Sequence, residues 1–292
     1  MKRICTKCIV AALILSMGIT AGIPAYAAQP QTTTATEQAA QLSLEETASQ
    51  YFENYPSDKH VVSAEQLLNR VEEGESFSLL DIRSAEDYAK GHIQGAVNIP
   101  YGVDVADALE IIPNDQPVLV YCYSGQTASQ TVALLRLAGK DAYNVSGGFT
   151  GISKQEKAKQ LTVKTETALP EGNYPVDPQL KQAIREYYEL AAQSGKFNMS
   201  AEQVKKEAAE GKIYLVDIRS ENDYLKSRIS FAKENIPFGK GMQTALANLP
   251  KDRKIVFQCY SGQTASQTVA IARMMGLDAY NLSGGMGAKG GS

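Results

Sequence analysis

Short apolar runs alternate along this chain with segments whose apolar positions recur at helical spacing. Phe77-Ser78-Leu79-Leu80 and Ile213-Tyr214-Leu215-Val216 are such runs, and each ends in Asp-Ile-Arg. A further strand, Val118–Tyr121 in one place and Lys254–Gln258 in the other, runs straight into a cysteine. Runs of this length bounded by polar residues predict buried strands. Ser63-x-x-Gln66 and Ser200-x-x-Gln203 read as capping boxes that open helices, the serine hydroxyl accepting from a free backbone N–H three residues on. Ser84-Ala85-Glu86-Asp87 and Ser220-Glu221-Asn222-Asp223 start further helices. Helical spacing extends from Thr127 to Leu137 and from Thr264 to Met275, and last strands over Ala142–Val145 and Ala279–Leu282 precede Gly-Gly turns. Strands alternating with helices predict an α/β fold with a parallel sheet covered on both faces.

The alternation occurs twice because the chain is a duplication. The twelve residues Cys122 to Ala133 reappear letter for letter as Cys259 to Ala270. The same register carries Asp81-Ile82-Arg83-Ser84 onto Asp217-Ile218-Arg219-Ser220, Asn98-Ile99-Pro100 onto Asn235-Ile236-Pro237, and Ser146-Gly147-Gly148 onto Ser283-Gly284-Gly285. A unit this long exceeds a solenoid repeat, so each copy is expected to be a domain with its own core. The expected bounds are 41–152 and 178–292. Between them, 153–177 turns to Lys, Thr, Glu, Pro and Gly without lasting period and reads as a linker. A helix is predicted from Gln179 to Gln193, and its Tyr187-Tyr188 matches Tyr51-Phe52 ahead of copy one. Gly287 to Ser292 is too glycine-rich for a firm closing helix, so copy two is expected to be the less stable.

The N-terminus is a different kind of sequence. Lys2, Arg3 and Lys7 precede an apolar run from Ile9 to Ile19 and the small-x-small triplet Ala25-Tyr26-Ala27, the pattern of a secretory signal peptide over 1–27. The run is about half of the ~20 residues that span a bilayer, so no stable membrane span is expected after cleavage. Residues 28–40 read as a flexible lead. The expected location is therefore periplasmic, cell-surface or extracellular. Cys5 and Cys8 fall in the segment to be discarded, which leaves Cys122 and Cys259. With 43% apolar residues the chain has material for a sizeable core, and its formal charge of -3 with scattered basic residues excludes nucleic acid as a partner.

The position of the cysteines suggests their chemistry. Each stands between a strand end and a helix start, where open α/β sheets bind ligands. Gly125 permits a tight loop, and the free N–H groups at the helix start form a cradle for an anion. A thiolate held there attacks the outer sulfur of a thiosulfate-like donor, releases sulfite and keeps the sulfur as a persulfide. Two other readings are a buried inert thiol and a Cys122–Cys259 disulfide, which export favours. Equivalent positions in two separate domains argue against such close approach.

Asp81-Ile82-Arg83, Gly91-His92-Ile93, Gly95-Ala96, Asn98-Ile99-Pro100, Tyr121-Cys122-Tyr123-Ser124-Gly125-Gln126-Thr127 and Gly147-Gly148 follow, in order, the pattern of the rhodanese sulfurtransferases. Over nearly the whole mature chain the sequence resembles the tandem members of that family. The resemblance implies two domains, each a mostly parallel five-stranded sheet with helices on both faces. It also implies a six-residue loop opened by a catalytic cysteine, Cys122 and Cys259 as persulfide carriers, and no metal or organic cofactor. The substrate loops would be Tyr123, Ser124, Gly125, Gln126 and Thr127, and Tyr260, Ser261, Gly262, Gln263 and Thr264. The partners implied are a small sulfur-containing anion (thiosulfate, persulfide or polysulfide) and a thiol or other thiophilic acceptor.

Departures from the pattern temper this. Thiosulfate-specific members carry basic residues in the loop, but here Tyr123, Ser124, Gln126 and Thr127 are all neutral. Related phosphatases place an arginine six residues after the cysteine, where this chain has Ala128 and Ala265. Familiar tandem members keep one cysteine, whereas both loops are intact here. Asp81 with Arg83, and Asp217 with Arg219, are expected to support the loops as strand-end ion pairs. His92, replaced by Arg228 in copy two, is expected to be structural or at the surface. A non-catalytic carrier or sensor of sulfide, sulfane sulfur or another anion is the alternative function.

Overall fold

The computed structural model describes residues 44–53 and 55–287. The expected signal peptide, the lead over 28–40 and the last five residues lie outside them. Copy one holds β1 (Val61–Val62), β2 (Ser78–Asp81), β3 (His92–Ile93), β4 (Ala96–Asn98), β5 (Val118–Tyr121) and β6 (Ala142–Val145), followed by β7 (Thr162–Val163). Copy two holds β8 (Asn198–Met199), β9 (Ile213–Asp217), β10 (Glu234–Asn235), β11 (Lys254–Gln258) and β12 (Ala279–Leu282). Each copy builds a five-stranded, all-parallel sheet, ordered β1-β6-β5-β2-β4 and β10-β9-β11-β12-β8. The tandem α/β architecture expected from the sequence is therefore present. The central strands are β5 and β11, so the cysteines that follow them sit at the middle of each sheet's carboxyl edge.

The long elements follow the sequence closely because their local signals are strong. Helix Ala64–Glu73 carries both bonds of its capping box, Ser63 Oγ accepting from Gln66 N and Gln66 Oε1 accepting from Ser63 N. Ser200 caps Ala201–Ala209 through Gln203 N, while the Gln203 amide donates to Glu207 instead. Edge strands β1, β4, β8 and β10 are two or three residues long and show no period of their own.

Residues 153–177 are stitched to copy one. They contain helix Ala158–Leu161, and β7 pairs antiparallel with β3. Buried His92 holds the same segment: its Nδ1 lies 2.9 Å from Tyr88 O, its Nε2 3.0 Å from Thr165 O, and its ring stacks on Tyr88 at 3.6 Å. It is a strut, not a surface residue.

The expectation of two separate cores is corrected by the packing. The helices that follow the two cysteines, Gln126–Leu137 and Gln263–Met274, lie against each other, and one continuous apolar cluster holds Val120, Val132 and Leu135 of copy one with Phe257, Val269 and Ile271 of copy two. Only the outer faces keep private clusters, around Leu67 and Leu119 in one copy and Val204 and Val256 in the other. Leading segments cross over as well. Behind helix 44–50, Phe52 meets Phe238 and accepts from Gly241 N, both of copy two. Helix Pro178–Gln193 ion-pairs with Glu110 and Asp107 of copy one through Lys181 and Arg185. The physical reason is that both cysteine helices are buried on nearly every side, which a single sheet cannot achieve. No helix among the described residues is long and apolar enough to cross a membrane.

Candidate active site

Each site begins where the central strand ends. Cys122 is 1% exposed, and its Sγ accepts from Gly125 N at 3.1 Å and Ala128 N at 3.4 Å. Cys259 is equally buried and accepts from Gly262 N at 3.1 Å. Both thiols are free. Two backbone N–H groups at a helix start therefore point at the Cys122 sulfur and one at the Cys259 sulfur, the arrangement that stabilises negative charge there.

Glycines seat the loops from below. Gly148 has φ +55°, and a Cβ there would lie 2.5 Å from Cys122 O and 2.8 Å from Ser124 N and Gly125 N. The next residue fixes the loop by donating Phe149 N to Cys122 O at 2.7 Å. Gly285 and Met286 repeat this beneath Cys259. Only glycine combines that φ with so close a backbone approach.

Asp81 and Arg83 stand behind the loop, not in it. The pair is buried and doubly bonded, with Arg83 Nη2 to Asp81 Oδ2 at 2.6 Å and Nε to Oδ1 at 3.0 Å. Nη2 also donates to Gly91 O at 2.8 Å, and the guanidinium lies 3.7 Å over the Phe149 ring. Asp217 and Arg219 repeat the bidentate pair, with Ser227 O in place of Gly91 O. These pairs tie the strand end to the segment that supports the cysteine. Tyr123 and Tyr260 form the outer rim: each is about half exposed and donates to a carboxylate, Asp87 at 2.6 Å and Asp223 at 2.5 Å. Those hydrogen bonds are the main cause that holds both carboxyl groups below the usual aspartate range.

The loop glutamines reach across the joint. Gln126 Oε1 accepts from Asn281 Nδ2 at 2.8 Å and Gly284 N at 3.2 Å, both in copy two. Gln263 Oε1 accepts from Asn144 Nδ2 at 2.8 Å and Gly147 N at 3.4 Å, both in copy one. Each loop thus braces the Gly-Gly turn beneath the other cysteine. The loops approach each other after all, through glutamines and not through sulfur. Cys259, Tyr260, Ser261, Gln263 and Thr264 line one cleft of about 460 Å³, whose opposite wall includes Asp58, Lys59, Ser63 and Ser146 of copy one.

Sequence reasoning missed that wall, and it missed buried Gln130 and Gln267. Gln130 accepts from Tyr101 and Tyr187 and donates to Lys196 O; Gln267 accepts from Tyr51 and Tyr55 and donates to Lys59 O. One signal was present. The letter-for-letter identity runs past the loop into the helix, as expected when two copies of a surface face each other across an approximate two-fold axis.

A parallel α/β sheet with a buried cysteine at the helix start beyond its central strand defines the class of domain. The rhodanese-like domain family matches residues 63–155 and 200–288, and the chain belongs to that family twice over. Among curated relatives, a putative sulfur carrier protein, YrkF, of Bacillus subtilis is 34% identical over 30% of this chain and 48% of its own length. The thiosulfate sulfurtransferase GlpE of Pseudomonas fluorescens is 39% identical over 24% of this chain and 65% of its own. The chain thus spans about half to two thirds of these relatives. Among solved structures, the 3-mercaptopyruvate sulfotransferase SseA of Escherichia coli is similar at 17% identity and a TM-score of 0.37, over 77% of this chain and 98% of that one. Membership of this family supports sulfur transfer in general.

Proposed function

We propose that the chain is a two-site sulfurtransferase in which Cys122 and Cys259 each carry sulfane sulfur as a persulfide. The observation that carries this reading is the pair of buried sulfurs at helix starts, Cys122 Sγ accepting two backbone N–H bonds and Cys259 Sγ one. In the first step the cysteine thiolate attacks the outer sulfur of a thiosulfate-like donor. The donor's S–S bond breaks, sulfite leaves with the bonding pair, and Cys–S–S⁻ remains. In the second step an incoming thiolate takes the outer sulfur and returns the cysteine as thiolate. The N–H groups oppose the negative charge on sulfur in both states. The reading includes export by the N-terminal leader, which N-terminal sequencing of secreted protein, expected to begin at Ala28, tests.

The experiment compares wild type, Cys122→Ser, Cys259→Ser and the double variant, incubated with thiosulfate or polysulfide and weighed intact. One added sulfur per intact loop is expected, and each single variant should lose one. With cyanide present, thiocyanate formation should disappear in the double variant. Turnover that persists there refutes the cysteine mechanism. Loading without turnover would favour a sulfur carrier over an enzyme.

A further inference from the structure

Both loops are neutral, yet a thiosulfate-like donor brings two negative charges, one of them on the part that leaves. We propose that the missing cation is supplied by the other repeat: Lys59 of copy one binds the anionic end of the donor at Cys259. This rests on the sulfur-transfer reading and specifies its substrate class, sulfur donors whose departing group is an anion.

Four observations carry the assignment. Lys59 lines the cleft that contains Cys259, and it is the one cationic side chain among the lining residues. Among the described residues its Nζ makes no ion pair, whereas Asp58 in the same wall is engaged by the backbone N–H of His60 at 2.9 Å. Lys59 and His60 both adopt left-handed backbone, φ +57° and +52°, a conformation that non-glycine residues seldom take twice in succession. That conformation is clamped from both repeats. Lys59 O accepts from Gln267 Nε2 at 3.0 Å and from Tyr55 Oη at 2.8 Å, and Gln267 belongs to the helix that Cys259 precedes. The strained turn is thus fixed against the Cys259 helix and not merely near it.

Copy two repeats the device toward the other site. Lys196 and Phe197 have φ +58° and +55°, and Lys196 O accepts from Gln130 Nε2 at 2.9 Å. The Lys196 ammonium, however, lies 5.3 Å over the Tyr101 ring, so it starts from an occupied position. Cys259 is therefore the site with the uncommitted cation. A positive charge held by its backbone in the cleft that contains a buried sulfur binds an anionic donor without demanding a basic residue in the loop itself.

The test uses the full-length protein with Cys122→Ser, so that Cys259 alone reports. Single-turnover sulfite release from thiosulfate and intact mass are measured with Lys59, Lys59→Gln and Lys59→Arg, and with Lys205→Gln as an exposed-charge control. Lys59→Gln should lose roughly ten- to a hundredfold in kcat/KM, the range of one charge-assisted contact, and the loss should lie in KM. Lys59→Arg should recover most of it, Lys205→Gln should change nothing, and added salt should shrink the gap. Glutamine suits the left-handed turn no better and no worse than lysine, and matching urea midpoints would confirm an intact fold. Equal loading by Lys59→Gln and the parent, or an arginine variant as poor as glutamine, overturns the lysine assignment and leaves sulfur transfer standing. Failure of the parent to take sulfur from any donor overturns the reading beneath it.

Discussion

Gln267 offers the sharpest test of the shared core. Its side chain is fully buried, takes hydrogens from Tyr51 at 3.0 Å and Tyr55 at 2.5 Å, and gives one to Lys59 O. Replacing it with leucine keeps much of the volume and removes every polar partner. Tyr55 still donates to Lys59 O at 2.8 Å, so its hydroxyl stays satisfied. Tyr51 loses its Gln267 acceptor, and its phenol, which burial holds protonated well above the ordinary tyrosine range, is left with the neighbouring Tyr55 hydroxyl. The three hydrogen bonds of Gln267 are worth about 1 kcal/mol each, partly offset by the apolar leucine. A net loss of about 2–3 kcal/mol is expected, or roughly 5–10 °C in Tm for a unit of this size. Tyr51→Phe in the same background should cost less than in the parent, by about 1 kcal/mol, giving a coupling readable in a double-mutant cycle. Urea unfolding followed by circular dichroism and tyrosine emission reads both, and the chain has no tryptophan to obscure the latter. One transition that shifts as a whole is expected. A loss below about 0.5 kcal/mol, or two transitions of which only one moves, would refute the argument that the repeats share a cooperative core.

Three further outcomes are expected. Gly148→Ala forces a Cβ against the carbonyl of Cys122 and should abolish sulfur loading at Cys122 while Cys259 still loads, as intact mass would show. Asp81→Leu leaves the Arg83 guanidinium buried without its carboxylate and should cost about 3–5 kcal/mol in urea unfolding, much of it recovered when Arg83→Met is added. Burial, aided by the charge of Arg136, lowers the His60 imidazole from 6.5 to about 4. The unfolded chain therefore binds the extra proton first as pH falls, so this stability is whole above pH 6.5 and is lost toward pH 4, by up to about 3 kcal/mol. His60→Phe, which installs the residue found at Phe197, should flatten that part of the pH profile measured by thermal unfolding.

The sequence by itself determined the duplication, the parallel α/β class, the central strands and both cysteines. These are local or periodic signals: a short strand of four or five residues with an apolar centre before each cysteine, a capping box at Ser63, and a glycine at each helix start. The ion pairs of Asp81 with Arg83 and Asp217 with Arg219 were legible too, because partners two residues apart need no distant contact. Edge strands such as β1 and β10 were not legible, since two residues carry no period. Only the tertiary structure decided that the cysteine helices face each other, that Gln126 and Gln263 brace the opposite site, and that Lys59 joins the cleft of Cys259. Those contacts join residues more than a hundred positions apart, and their stability comes from burying two surfaces against each other. No residue in either surface records its partner; the repeated sequence shows only that the two surfaces are alike.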